Sequence, residues 1–334
     1  MIAGNGADVE VVELLKTNSI PLFGQLPSAR YAAVGTMLNN TPILCGGKED
    51  TIIFDTCISY HNDSEWIQSQ SMVRKRSTAA GVKVNSTTFW ILGGKDYIDD
   101  SDVYLDSTEF IIQGQTNGVP GPKLPYVFES ICAVKISENE IFVIGIKRNE
   151  GYKTEVWIYD PQNGYNRTKG ASLKTKRFLL SCSAMKDGEK IMVITAGGLD
   201  NNFDNDNRVE IYDSTLKTWN SGKNNQLRTK INQFNIFKLK KLKCMASWKK
   251  EKEKHNLTTY YYLFCITGPA LPYGLSHSAM AESPDGRGVL LFGGHSFENF
   301  YEKRILELRA GADSWNILNV SLEHATYPVV IPLT

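Results

Sequence analysis

The chain has 334 residues, 42% of them apolar, with 37 Lys or Arg against 36 Asp or Glu and a formal net charge of +1. That apolar share belongs to a packed chain and excludes a disordered polyelectrolyte. No apolar run approaches the roughly 18 residues a spanning helix needs, so no membrane is expected as a partner.

The N-terminal stretch MIAGNGADVEVVELL has no basic segment ahead of an apolar core and does not resemble a signal peptide. Met1 opens inside a repeat unit, so the lack of a signal carries little weight, and a BTB domain or a signal peptide upstream stays an open alternative. The repeat is marked by a diglycine that closes a short apolar run: ILCGG at Gly46 and Gly47, ILGG at Gly93 and Gly94, ITAGG at Gly197 and Gly198, LFGG at Gly293 and Gly294. A degenerate copy, IFVIGI, surrounds Gly145. The early copies recur about every 50 residues and the last follows after 96, near a doubled period.

Each unit has one order. A basic or small residue opens an alternating strand, as at Arg30, Arg76 and Arg177. A second, more apolar strand ends at the diglycine, and its continuous apolar character fits burial on both faces. A variable polar loop follows. A third strand ends near Tyr60, Tyr159 or Tyr212, and a Trp follows in three units, at Trp66, Trp219 and Trp315. Four short strands in about 48 residues are expected to form one propeller blade.

These diglycines, tyrosines and tryptophans make the chain resemble the kelch-repeat family over nearly its whole length. The third unit keeps only Gly145 and the second has Phe110 but no Trp, which are departures. The expected fold is an all-β, six-bladed kelch-type β-propeller spanning 1–334 as a single domain. Five units start near Arg30, Arg76, Glu129, Arg177 and Ser276. The sixth blade is expected from both termini, with IAGNG and VEVVELL from Ile2 and HATYPVVIPL from His324 sharing it.

Residues 222–267 break the pattern. They carry eleven Lys or Arg and two Glu, a net +9, which leaves −8 on the rest. Without these 46 residues the chain is 288 long, six times 48, and Trp219-Asn-Ser meets GPALPY at Gly268, a copy of GPKLPY at Gly121. Three readings stand open: a retained intron, a long disordered loop between blades, or a basic arm for nucleic acid or anionic lipid. The retained-intron reading leads, so no nucleic acid is expected as a partner.

The six cysteines fit no zinc pattern. Cys132 and Cys182 lie in apolar alternating runs and read as core thiols. Cys45 and Cys57 flank a hairpin and are either bridged or buried separately. A bridge would place the protein outside the cell; otherwise the cytoplasm is expected.

No catalytic constellation stands out, and no metal or cofactor is expected. The five histidines are scattered, SPDGRG at Ser283 reads as a hairpin turn, and Asp200, Asp204 and Asp206 read as a solvated loop and not a calcium site. The loops after the diglycines occupy one place in every unit and therefore one face, where binding is expected. In kelch-like domains that recruit ubiquitin-ligase substrates, arginines at the unit start and in those loops contact acidic peptides. The resemblance implies a similar face here, built from Arg30, Arg76, Arg177, Lys95, Tyr97, Arg148, His295 and Tyr301. The same unit-start position could instead hold a cation that bonds loop carbonyls. The expected function is a non-enzymatic scaffold that binds a protein or acidic peptide, a monomeric propeller that could serve as part of an adaptor for a larger complex. The alternatives are an extracellular, disulfide-containing binding protein and a kelch-propeller enzyme such as a copper-radical oxidase, which needs a Tyr–Cys crosslink and two His.

Overall fold

The computed structural model describes residues 2–3, 9–12, 19–20, 26–61, 65–147, 153–214, 216–221, 227–229, 244–253, 256–265, 269–297, 301–322 and 328–331. Five four-stranded antiparallel blades follow one another, each built from one continuous stretch of chain. Blade 1 holds Val34–Leu38, Thr41–Cys45, Thr56–His61 and Glu65–Ser71. Blade 2 holds Ala80–Lys83, Thr88–Leu92, Thr108–Ile112 and Val119–Pro120. Blade 3 holds Phe128–Ser137, Glu140–Lys147, Lys153–Asp160 and Asn166–Lys169. Blade 4 holds Ser181–Asp187, Lys190–Ala196, Val209–Asp213 and Thr218–Ser221. Blade 5 holds Ala279–Glu282, Gly288–Phe292, Arg304–Arg309 and Asn316–Ser321.

The expectation of six blades is corrected to five. The termini build only a small sheet, in which Ile2–Ala3 pairs with Val9–Val12 and with Val329–Val330, and Val9–Val12 pairs with Ser19–Ile20. Its strands are two to four residues long. The reason lies in the sequence: IAGNG has no diglycine after an apolar run, and no Trp follows its third strand. Val329–Val330 nevertheless sits beside the innermost strands of blades 5 and 1. Ile331 fills the space over Gly35, where a Cβ would run into its side chain.

The core lies between blades. Phe89, Ile91 and Ile111 of blade 2 pack on Leu38 and Ile43 of blade 1. Trp90 and Leu92 pack on Phe128 and Tyr159 of blade 3. Phe142 and Val156 meet Tyr212 and Trp219 of blade 4, and Ile194 and Val209 meet Leu291 and Leu306 of blade 5. The second strands, buried on both faces, supply most of these side chains. The repeated Trp residues are buried: Trp219 and Trp315 donate their ring N–H to the carbonyls of Ala171 and Pro269, in the chain that leads into the same blade.

All eight glycines of the intact diglycines have positive φ, between 54° and 109°. The need is sterically clearest at Gly46 and Gly197. A Cβ there would run into the carbonyl oxygens of Arg76 and Leu275, which belong to the next blade. The diglycine is thus a turn and a blade-to-blade contact at once, as Gly47 N donates to Arg76 O (2.9 Å) and Gly198 N to Leu275 O (2.6 Å).

Among the described residues of 222–267, Leu227–Thr229, Cys244–Glu253 and Asn256–Cys265 are strands that pair with one another in a sheet of their own. The chain on their far side resumes the ordinary connector: Leu271 N donates to Asn207 O as Leu124 N donates to Asp106 O, both at 2.8 Å. Both leucines are buried. The resemblance of GPALPY to GPKLPY is therefore structural.

Two disulfides are present among the described residues. Cys45 and Cys57 lie opposite each other on neighbouring strands, 4.0 Å apart at Cα, in a pair that exchanges no backbone hydrogen bonds of its own. Cys132–Cys182 overturns the reading of two core thiols. These residues lie 50 apart, one repeat period, so the same point on the innermost strands of blades 3 and 4 is stapled across the blade gap. Closing a loop of that length stabilises a chain by roughly 4 kcal/mol, against roughly 3 for the Cys45–Cys57 loop. Cys132→Ser is accordingly expected to lower the unfolding free energy by several kcal/mol and to lose more than Cys57→Ser, read by denaturant titration under oxidising conditions. Equal, negligible losses would show that neither bond forms.

Candidate functional site

In each blade the first and third strands run away from one face and the second and fourth run toward it. The diglycine loops and the blade connectors therefore emerge together on that face, and the hairpin turns on the opposite one. The residues expected to bind a partner separate into two groups once placed on this frame.

Arg30, Arg76 and Arg177 are not on the face. They are 4%, 1% and 0% exposed. Each guanidinium turns into its own blade and donates to the carbonyl of the first glycine: Arg30 to Gly46 O (3.3 Å), Arg76 to Gly93 O (2.6 Å), Arg177 to Gly197 O (2.9 Å). Each also reaches the carbonyl just before the third strand gathers pace, at Thr56, Ser107 and Arg208. The proposed grip on acidic peptides is corrected for these three: they hold loop carbonyls and cannot reach a partner.

Sequence reading missed their counter-charges. Arg76 pairs with Glu109 (2.6 Å) and Arg177 with Glu210 (3.4 Å), all four side chains within 1% of full burial. The glutamates also bind the connector that enters the blade: Glu109 accepts from Val73 N, and Glu210 accepts from Lys174 N and Thr175 N. Burial lowers the affinity of both arginines for their protons, and the adjacent glutamates oppose that. In blade 1 the glutamate position is Ile58, and Arg30 lies over the Phe54 ring at 4.2 Å. Burial brings its pKa down to about 10. In blade 5 both members are replaced, by Leu275 and Leu306, which share one hydrophobic cluster. Third-strand Glu in TEF, TEV and VEI was a visible repeat that could have revealed the partner.

The second group does reach the face. Tyr97 and Tyr301 are 41% and 50% exposed. Lys95 pairs with Asp102 across the hairpin of Lys95–Ile98 and Ser101–Tyr104 (2.7 Å). Arg148 lies outside the described residues. His295 stacks on His277 with ring centroids 4.9 Å apart and meets Tyr301 at 5.9 Å. His277 has φ 54°, as do its repeat counterparts Ala32, Thr78 and Leu179 within a few degrees, where the innermost strands begin around the ring axis. Burial, then the charge of His295, brings the His277 pKa down to about 4, and burial lowers that of His295, so both rings are neutral at neutral pH. A Tyr–Cys pair does not accompany them: the four cysteines with described side chains are in the two disulfides.

Further apolar side chains in the same loops went unnoticed in the sequence. Ile52 (59% exposed), Ile98, Phe203 (68%) and Phe297 (96%) join Tyr97 and Tyr301, so the loops of blades 1, 2, 4 and 5 all present at least one. Asp50, Asp99, Asp100, Asp102 and Asp204 are exposed among them. Asp200 is occupied by its own loop, accepting from Asn202 N and Asp204 N, and Asp206 accepts from Arg208. Among the described residues no group of three or more His, Cys, Asp or Glu is arranged to hold a metal ion. SPDGRG is a turn: Ser283 and Gly288 close it, and Asp285 accepts from Ser283 Oγ and Arg287 N.

No protein-family model and no curated protein matches the sequence. Among solved structures, one titled "Structure of YjhT" is similar over 93% of this chain and 91% of its own, with a TM-score of 0.66 and 9% sequence identity. That likeness shows the β-propeller fold alone.

The buried arginine–glutamate pairs make a sharp prediction. Arg177→Leu strands Glu210 and is expected to cost about 3–5 kcal/mol of stability. Arg177→Leu with Glu210→Leu copies blade 5 and is expected to recover most of the loss in a denaturant titration. A double variant as unstable as the single one would contradict the pairing.

Proposed function

We propose that this chain is a non-catalytic, kelch-type propeller scaffold that holds a protein partner on its diglycine-loop face. One observation carries the reading: Ile52, Tyr97, Ile98, Phe203, Phe297 and Tyr301 stand exposed on loops of four blades, on one face. Large apolar side chains displayed together on a rigid frame are a signature of protein contact. Aromatic anchors surrounded by a polar rim match the anatomy of interfaces.

The rim is acidic, through Asp50, Asp99, Asp100 and Asp204. With Arg30, Arg76 and Arg177 turned inward, an acidic peptide loses its grip, and a segment bearing Lys or Arg beside apolar anchors fits better. The two disulfides favour an oxidising compartment, outside the cell or in the secretory route. Catalysis on the same face is the second reading, and it draws on the His277–His295 pair beside Tyr301.

The test is affinity capture with the full chain, followed by titration of the identified partner. Phe203→Ser with Phe297→Ser is expected to weaken binding about 30-fold or more, as loss of interface anchors does, with only a small fall in melting temperature, because Phe297 is almost fully exposed and Phe203 gives up its stacking on Phe178. Binding is also expected to weaken as salt rises. A partner held equally by the wild type and the variant would contradict this surface.

A further inference from the structure

The chain carries six Asn-x-Ser/Thr triplets with no Pro in the middle, at Asn39, Asn62, Asn85, Asn166, Asn256 and Asn319. Such a triplet is the acceptor of asparagine-linked glycosylation, a reaction of the secretory route. The two disulfides favour the same route. By itself the triplet is a short motif. The fold decides which asparagine can carry a bulky, hydrated glycan, since only an amide left in water and free of partners has room for one.

Asn85, Asn166 and Asn319 meet that requirement. All three are exposed, and their Nδ2 atoms donate to nothing among the described residues. Asn85 sits in the turn between the first two strands of blade 2. Its Oδ1 accepts from Thr87 N (2.9 Å) and Thr87 Oγ1 (3.1 Å), so the hydroxyl of the triplet polarises the amide that bears the reactive nitrogen. The turn is held from both neighbouring blades, by Asn39 N on Ser86 O (2.9 Å) and by Lys135 Nζ on Val84 O (2.6 Å). Asn166 opens the outermost strand of blade 3, in which all four residues are exposed. Asn319 lies in the outermost strand of blade 5, where Val320 is buried and Asn319 and Ser321 on either side of it are exposed. A register shift opposite Arg304–Leu306 sets 318–320 off the ladder there. Asn39 is exposed too, but Pro42 directly after Thr41 fixes the backbone that a transferase must grasp. Asn62 lies outside the described residues, and Asn256 belongs to the separate sheet of 222–267.

The three sites share one side of the ring. Asn85 and Asn166 lie at hairpin turns, on the face opposite the diglycine loops, and Asn319 lies on the outer edge of its blade. The diglycine loops hold Asn149, Asn201, Asn202, Asn205, Asn207 and Asn299 in sequence, and none of these has Ser or Thr two residues on.

We propose, resting on the oxidising compartment that the disulfides favour, that Asn85, Asn166 and Asn319 are N-glycosylated, which coats the hairpin face and the outer edge and leaves the diglycine face open. An oligosaccharyltransferase of that compartment brings the donor, an oligosaccharide joined through its C1 to a polyprenyl pyrophosphate. Asn Nδ2 forms a bond to C1 and the C1–O bond to the pyrophosphate breaks. The pyrophosphate leaves with the electron pair, one amide proton passes to a base of the transferase, and nothing is oxidised or reduced.

The experiment takes the chain as its own cells make it, captured by antibody. Peptide N-glycosidase in oxygen-18 water converts each glycosylated asparagine to an isotope-marked aspartate, which mass spectrometry maps. The mark is expected at Asn85, Asn166 and Asn319. In the full chain secreted by a eukaryotic host, Thr87→Ala, Thr168→Ala and Ser321→Ala are each expected to lose the mark at their own asparagine and to keep the other two. Glycans are added as the chain enters the lumen, so a variant that fails to fold is read in the retained fraction. Alkylation before and after reduction counts the disulfides in the same material. A disulfide-bonded chain with all three asparagines unmarked overturns the proposal and spares the compartment; free thiols with no mark overturn both. Marks confined to Asn39, Asn62 or Asn256 overturn the assignment as well.

Discussion

The ring depends on a charge placed where water cannot reach. A guanidinium inside blades 1, 2 and 4 gathers two carbonyls, one from the first glycine of the diglycine and one from the start of the third strand, to which that glycine's own N–H also donates. Those carbonyls exist because the chain must leave the sheet to form its face loop. Without the arginine the glycine carbonyl would be buried and unpaired. Arginine suits the task because its planar fork offers five donors and stays charged when desolvated. Glu109 and Glu210 then neutralise it and extend the network to the connector.

Blade 5 shows that the same junction can be built without charge. Leu275 and Leu306 take the places of the Arg and the Glu together and join the interblade core. Replacement as a pair is what electrostatics demands, because either charge alone would be buried without its counterpart. Blade 3 takes a third route: Phe128 holds the arginine position, and Glu155 is met by Lys169. The polar clasp is therefore one solution to a common backbone problem, and the positive-φ diglycine in its neighbours is the constant.

How much of this was legible follows from what a repeat can encode. The diglycine turn, the apolar second strand, the buried Trp and the resumed connector at Gly268 could be read because one physical need recurs at a fixed spacing. The inward aim of Arg30, Arg76 and Arg177 was weighed but not decided, since sequence marks the position and not the direction of a side chain. The blade count was misjudged because IAGNG carries the glycines of the unit without the apolar run before them, so the termini make only short strands. Cys132 and Cys182 looked like core residues because they are apolar in pattern; only the packing of innermost strands side by side brings them together. The face anchors Phe203 and Phe297 sit in loops without period, which no spacing rule announces.

The central claim is that the diglycine and its arginine clasp lock neighbouring blades into one cooperative ring. Native-state hydrogen exchange at the amides of Gly47 and Gly198, which donate to the next blade at Arg76 O and Leu275 O, tests it most directly. The account predicts that both protons exchange only through global unfolding, with the same free energy as the core amide of Ile194. Exchange through local opening, about a hundredfold faster or more than that core amide, would show that the blades part independently and would contradict it.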